Sequence, residues 1–214
     1  MTRRKTLKEL TIKDNFMFGA VMCDENNCRR LLELVSGKEY VELPNTYIIF
    51  ICDFDPFGLG KYRYTFKHMC CESPGTYLED GSETVFLNTR GTNPEEVSTE
   101  LVKFLKYVRA DLAESMINYE DEFVEALQRS VHEIKQSRRM EERYMLTELL
   151  MQDERRAGRI EGRRESILEV LEEIGTISNE LRERIVQEAN MDQLKIWAKL
   201  AARVDSIEQF MEEM

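Results

Sequence analysis

The stretch from Tyr47 to Gly60, YIIFICDFDPFGLG, is the most apolar run in an otherwise polar chain. Its first half is β-branched and aromatic without polar alternation. That pattern predicts a strand over Tyr47 to Asp53 covered on both faces. Two further runs belong with it. KYRYTFKHM alternates aromatic and polar residues, as a strand with one solvated face does, and DGSETVFLNTRG offers a glycine turn followed by a short strand around Val85 to Leu87. Three strands are few, and a sheet that small needs helices packed on it, or more strands, to be stable alone.

Helical signals flank the strands. In TIKDNFMFGAVMCDENNCRRLLELVSG, Thr11 and Asp14 have capping-box spacing, with Asp in place of the preferred Glu or Gln. Phe16, Phe18, Val21 and Met22 follow in a first helix. A second, from Glu25, places Cys28, Leu31, Leu32 and Val35 on one face and stops at Gly37. From Pro94 onward the pattern is almost purely helical. Leu101, Leu105 and Val108 line one helix. A long, charge-rich helix is expected from Asp121 to about Arg156, with Phe123, Leu127, Val131 and Ile134 as its early apolar stripe. That length suggests an element extending beyond the globular part and pairing with another chain. The tail reads as a hairpin or small bundle, capped by Ser178, with Leu181, Ile185, Leu194, Trp197, Ala198, Ala201 and Phe210 in its core. The expected division is 1–93, 94–175 and 176–214.

Composition narrows the function. The 214 residues suit one domain with a large appendage, or two small ones. A net charge of −11, with 33% charged residues, counts against a general nucleic-acid binder, which needs a basic face for phosphate. The basic N-terminus leads into no apolar targeting segment and no run approaches a membrane span. Five cysteines without a leader imply reduced thiols and a cytoplasmic location.

Candidate chemistry is sparse. Asp53 and Asp55, two apart, would share a face on a continuing strand and suit a metal ion. Pro56, Gly58 and Gly60 end the strand there, so turn chemistry is the simpler reading. His68, Cys70, Cys71 and Cys52 raise a zinc site, but the second ligand pair that zinc needs is missing, and adjacent strand cysteines point to opposite faces. Cys23 and Cys28 lie on helical segments and read as ordinary thiols. Neither His68 nor His132 has a nucleophile motif beside it. RRAGRIEGRR has Gly158 and Gly162 four apart but neither the preceding strand nor the Lys-Ser or Lys-Thr of a phosphate loop. Its arginines, Arg155, Arg156, Arg159, Arg163 and Arg164, are candidates for contact with nucleic-acid phosphate, although interleaved glutamates also suit a solvated helix face.

Several blocks together carry a resemblance. DNFMFGAVM followed by CRRLLELVSG resembles the N-terminal signature of the Rpn family of recombination-promoting nucleases, which are PD-(D/E)XK transposase-type proteins. YVELPNTYIIFICDFDPFG, YRYTF, DGSETVFLNTRG and the Gly-and-charge-rich RRAGRIEGRR are similar to later blocks of that family in the same order, across most of residues 10–165. The resemblance implies an α/β (α+β) remnant of a restriction-endonuclease-like core, followed by a long helix and a small C-terminal helical bundle. It also implies descent from a Mg²⁺-dependent DNA endonuclease acting in recombination.

The departure matters as much as the match. The family carries a catalytic Asp on one strand and a Glu-x-Gln-like pair on the next, before the YIIFIC strand. Here only Lys38 to Asn45 lie between the second helix and that strand. With strands of about 5–6 residues, at most one fits, and the segment holds no Asp followed by Glu-x-Lys or Glu-x-Gln. Asp14 matches the family's N-terminal acidic position and is the one catalytic candidate left. One carboxylate does not hold Mg²⁺ in octahedral geometry. The expectation is therefore a silent enzyme with no metal site and no cofactor of its own, whereas intact relatives use Mg²⁺. Expected partners are DNA, weakly, and a second copy or a full-length relative through the C-terminal helices, with no membrane.

Overall fold

The structure, a computed structural model, describes residues 5–37 and 46–214. Among these, eight α-helices and one three-stranded mixed sheet make an α+β chain in which helix predominates. The expected absence of a catalytic strand between Lys38 and Asn45 falls outside the described residues. The chain divides into two compact units, residues 1–144 and 145–214. This differs from the three segments expected. The helices after Pro94 supply much of the first unit's core, and the end of the long helix supplies part of the second's.

The first unit opens with helices α1 (Asn15–Met22) and α2 (Glu25–Ser36). Met17 and Val21 of α1 are buried, four residues apart on one face. Helix α2 begins where the Asp24 carboxylate accepts bonds from the Asn26 and Asn27 amides, and ends at Gly37, whose φ of 69° suits glycine. Thr11 is not the cap of α1. The Asp14 carboxylate reaches back to the Thr11 amide, while Asp14 itself occupies the capping position of the helix.

Strands β1 (Thr46–Cys52), β2 (Arg63–Phe66) and β3 (Ser82–Asn88) lie in the order β1-β3-β2. β1 runs parallel to β3 from Thr46 opposite Ser82 to Cys52 opposite Asn88, and β2 is antiparallel to β3. The central strand is the best covered, with Val85 and Leu87 fully buried. Among the described residues β1 lies at one side of the sheet, and it is well covered on one face alone, which corrects the expectation of cover on both. Tyr47, Ile49 and Ile51 pack on the core, but Ile48 and Phe50 are each 46% exposed on the other face. Composition misled because an unbroken apolar run also fits a strand whose outer residues form a surface cluster. Here Phe50 stacks on Phe86 at 4.6 Å, and Phe57 and Phe66 pack edge-on around Phe86.

Helix α3 (Thr99–Arg109), capped by Ser98, buries Leu101, Phe104, Leu105, Tyr107 and Val108. Helix α4 (Glu122–Gln136), capped by the Asp121 carboxylate on the Val124 amide, buries Phe123, Val124, Leu127 and Val131. The single helix expected from Asp121 to about Arg156 is two. Ser137 takes an extended conformation (φ −80°, ψ 112°) and its hydroxyl accepts from the Met140 amide, so it ends one helix and caps the next. Helix α5 (Arg138–Ile174) then continues well past Arg156, through Gly158 and Gly162. At its start Tyr144 sits edge-on to Phe16 at 5.0 Å and donates to the Lys5 carbonyl at 3.1 Å.

The second unit contains the rest of α5 with α6 (Asn179–Gln187), α7 (Met191–Ala201) and α8 (Ile207–Glu213). Ser178 caps α6 by accepting from the Leu181 amide at 3.2 Å. Leu181, Ile185, Leu194, Trp197, Ala201 and Phe210 are buried as expected, joined by Ile167 and Leu171 of α5. No helix among the described residues is long and apolar enough to cross a membrane.

Candidate functional site

Cys52 ends β1, so Asp53 and Asp55 do not share a strand face. Asp53 accepts from the Thr89 hydroxyl at 2.8 Å, and Arg90 Nε donates both to the Asp53 carbonyl, at 2.8 Å, and to its carboxylate, at 3.3 Å. Burial pushes the Asp53 pKa up, but the bonds from Thr89 and Arg90, with the charges of Arg90 and Lys13, outweigh it and hold the carboxyl below its ordinary value. Asp53 thus ties the end of β1 to the end of β3.

Asp55 organises the following turn. Its carboxylate accepts from the Gly60 amide at 2.6 Å, the Phe57 amide at 3.1 Å and the Tyr64 hydroxyl at 2.8 Å. Partial desolvation raises its pKa, and these hydrogen bonds more than offset the rise. Gly58 and Gly60 have φ of 71° and 70°, and a Cβ on Gly60 would meet the Thr92 hydroxyl at 2.8 Å. The turn therefore needs both the carboxylate and the glycine.

Asp14 is engaged as well. One oxygen accepts from the Thr11 amide at 2.8 Å and the other faces Lys5 Nζ at 3.2 Å. Burial lowers the pKa of Lys135 and the Asp14 charge works against that, so a second cation is within reach of Asp14's field. His68 pairs with Asp80 at 2.8 Å, and all five cysteines are free thiols. Among the described residues no three His, Cys, Asp or Glu side chains converge as a metal ligand set.

The arginines of RRAGRIEGRR lie along α5. Arg155, Arg159 and Arg163, four apart, follow one stripe of the helix, with Arg156 beside it. All four are exposed. Arg164 departs from them, since its Nε donates to the Glu188 carbonyl at 2.8 Å and it joins α5 to the turn after α6.

The feature that sequence reasoning missed is a cavity of about 500 Å³ beside β1. Ile49 and Ile51 form one wall, Phe18, Met22, Leu31 and Leu32 of the first two helices another, and Val108 of α3 contributes as well. Lys13, Asn15 and Asp53 are its polar lining residues. The helix periodicities marked Leu31 and Leu32 as an inward face. Nothing in the sequence said that a space remains between them and β1. Its size is that of a ligand site, but its walls carry no paired acid, base and nucleophile.

No family model, curated protein or solved structure matches the chain.

Proposed function

We propose that the chain is an internally shortened member of the Rpn-like PD-(D/E)XK transposase and DNA endonuclease family that no longer cleaves phosphodiesters. One observation carries the silent reading. Each acidic residue nominated by spacing or by resemblance is already committed to the fold: Asp14 to Thr11 and Lys5, Asp53 to Thr89 and Arg90, Asp55 to its own turn. Metal-assisted cleavage needs carboxylates whose oxygens are free to take Mg²⁺ and to let it activate water. Recruiting these would cost the contacts that close the strand ends. The experiment is a thermal melt with and without millimolar Mg²⁺. A ligand that binds only the folded chain raises its melting temperature. No shift is expected, and a rise abolished by Asp53→Asn would overturn the reading.

A second reading, a helical interaction module that dimerises or pairs with a full-length relative, is favoured by a different observation. Met145, Leu146, Leu149 and Leu150 of α5 are all exposed, between 52% and 61%, and recur at helical spacing on one side. Light scattering separates the two. A dimer that Leu146→Lys with Leu149→Lys converts to monomer supports the module, and a monomer at all concentrations removes it. Residual DNA contact through Arg155, Arg156, Arg159 and Arg163 would weaken steeply with salt.

A further inference from the structure

The turn between α6 and α7 carries a second pocket, formed wholly within residues 145–214. It holds about 500 Å³ and is lined by Arg184, Gln187 and Glu188 from the end of α6 and by Asn190, Gln193 and Trp197 from the start of α7. Trp197 is only 3% exposed, and its indole N–H is buried with no hydrogen-bond acceptor. Among the described residues it is the one buried side-chain polar atom in that state. A donor left so forfeits its hydration without compensation. The Arg184 guanidinium lies over the same ring, 5.9 Å from its centroid, and makes no ion pair among the described residues. Asn190 caps α7 through its side-chain oxygen, while its amide nitrogen and those of the Gln187 and Gln193 side chains donate to nothing among the described residues. The one acidic side chain of the lining, Glu188, already accepts from the Asn190 amide at 2.7 Å. The unengaged polar groups of the pocket are therefore mostly donors.

We infer that this pocket binds a carboxylate, whose oxygens accept from the Trp197 indole N–H and the Arg184 guanidinium. An indole N–H donates and never accepts, so its partner must be an acceptor atom. With the guanidinium over the ring and the N–H at its rim, the two oxygens of one carboxylate bridge them. The Gln187, Asn190 and Gln193 amides add neutral donors around it. Charge sets the class of anion. A single guanidinium faces the ligand and the Glu188 carboxylate shares the pocket, so one negative charge is matched and a second is opposed. That favours a carboxylate over a phosphate dianion. The carboxylate belongs to a free organic acid or to the end of another polypeptide, two sources of the same chemistry. The pocket belongs to residues 145–214 alone, so the site holds whether or not the family proposal does.

Trp197 is the only tryptophan, so the full ¹⁵N-labelled chain gives a single indole resonance to follow. Four probes are titrated at constant pH and ionic strength: butyrate, an acetylated alanine dipeptide with a free carboxylate, the same dipeptide amidated, and inorganic phosphate. A saturable downfield shift of the indole proton is expected from butyrate or the free dipeptide by about 10 mM, and the tighter of the two identifies the source. The amidated dipeptide and phosphate are expected to leave it in place. Arg184→Ala should raise the midpoint about fivefold, and Arg184→Lys should recover part of that loss. Glu188→Gln keeps the oxygen that accepts from Asn190 and should lower the midpoint about threefold. The amide resonances of the buried Leu181 and Ile185 report whether α6 stays folded; if Arg184→Ala disturbs them, Glu188→Gln decides. Three results would overturn the inference. These are an indole resonance unmoved by either carboxylate up to about 10 mM, an equal shift from the amidated dipeptide or phosphate, and a midpoint that neither Arg184→Ala nor Glu188→Gln alters.

Discussion

In residues 1–144 the core depends on pairings between distant parts of the chain. β1 finds β3 only after β2 and its long loops have been passed, and α3 and α4 close over helices from the N-terminus. Residues 145–214 differ: each helix meets a neighbour soon after it forms, and the core is the inward face of consecutive helices. Helix formation and capping are local events, while a sheet specifies its partners only through the whole fold. Both units bury their aromatic side chains, Phe104 in the first and Trp197 and Phe210 in the second, and both have a pocket of about 500 Å³, beside β1 in one and beside Trp197 in the other.

The largest expected effects come from emptying one core at a time. Phe104→Ala removes a fully buried ring from the first unit and costs about 3–5 kcal/mol. Leu171→Ala in the second costs about 2–5 kcal/mol. Trp197 is the only tryptophan, so its fluorescence reports on residues 145–214, while exchange at the buried Val85 and Leu87 amides reports on the sheet. Each substitution should move its own probe in urea. Equal movement of both probes by either one would erase the distinction between the units.

Phe50→Ser should cost less, roughly 1–3 kcal/mol, because it loses the stacking on Phe86 and the burial of a ring that is 46% exposed. A loss comparable to that of Phe104→Ala would mean that the outer face of the sheet is covered in solution. Removing the α6 cap with Ser178→Ala is smaller, roughly 0.5–2 kcal/mol, and confined to the tryptophan signal.

Acid sharpens the comparison further. Asp53 and Asp55 both titrate below their ordinary range in the fold. Their stabilisation is present above the unfolded carboxylate value and is lost as pH falls through the lowered folded values. The sheet probe should therefore weaken below about pH 4, and Asp55→Asn should flatten that dependence. The Asp55→Asn change should not alter the tryptophan transition at any pH.

Much of this architecture is legible in the residues. Gly37 as a helix stop, Ser178 as a cap, and the inward stripes of α3, α4, α6 and α7 all follow from local chemistry that sequence spacing records. Asp53 and Asp55 as turn residues were legible for the same reason, since Pro56, Gly58 and Gly60 surround them. Two features were hidden. Ser137 reads as an ordinary polar position in a helix until its hydroxyl is seen to compete for the Met140 amide. β1 reads as doubly covered because composition records how apolar a strand is and not which of its faces the helices pack on. The cavity depends on how closely α1 and α2 approach that face, which spacing along the chain does not record.

We propose that Asp14, Asp53 and Asp55 hold the fold and do not hold a catalytic metal. Supercoiled plasmid incubated with purified protein and Mg²⁺, alongside a mock preparation from cells lacking the gene, tests it most directly. The account predicts that the plasmid stays supercoiled. Nicking that appears only with the protein, and that chelation by EDTA abolishes, would contradict it.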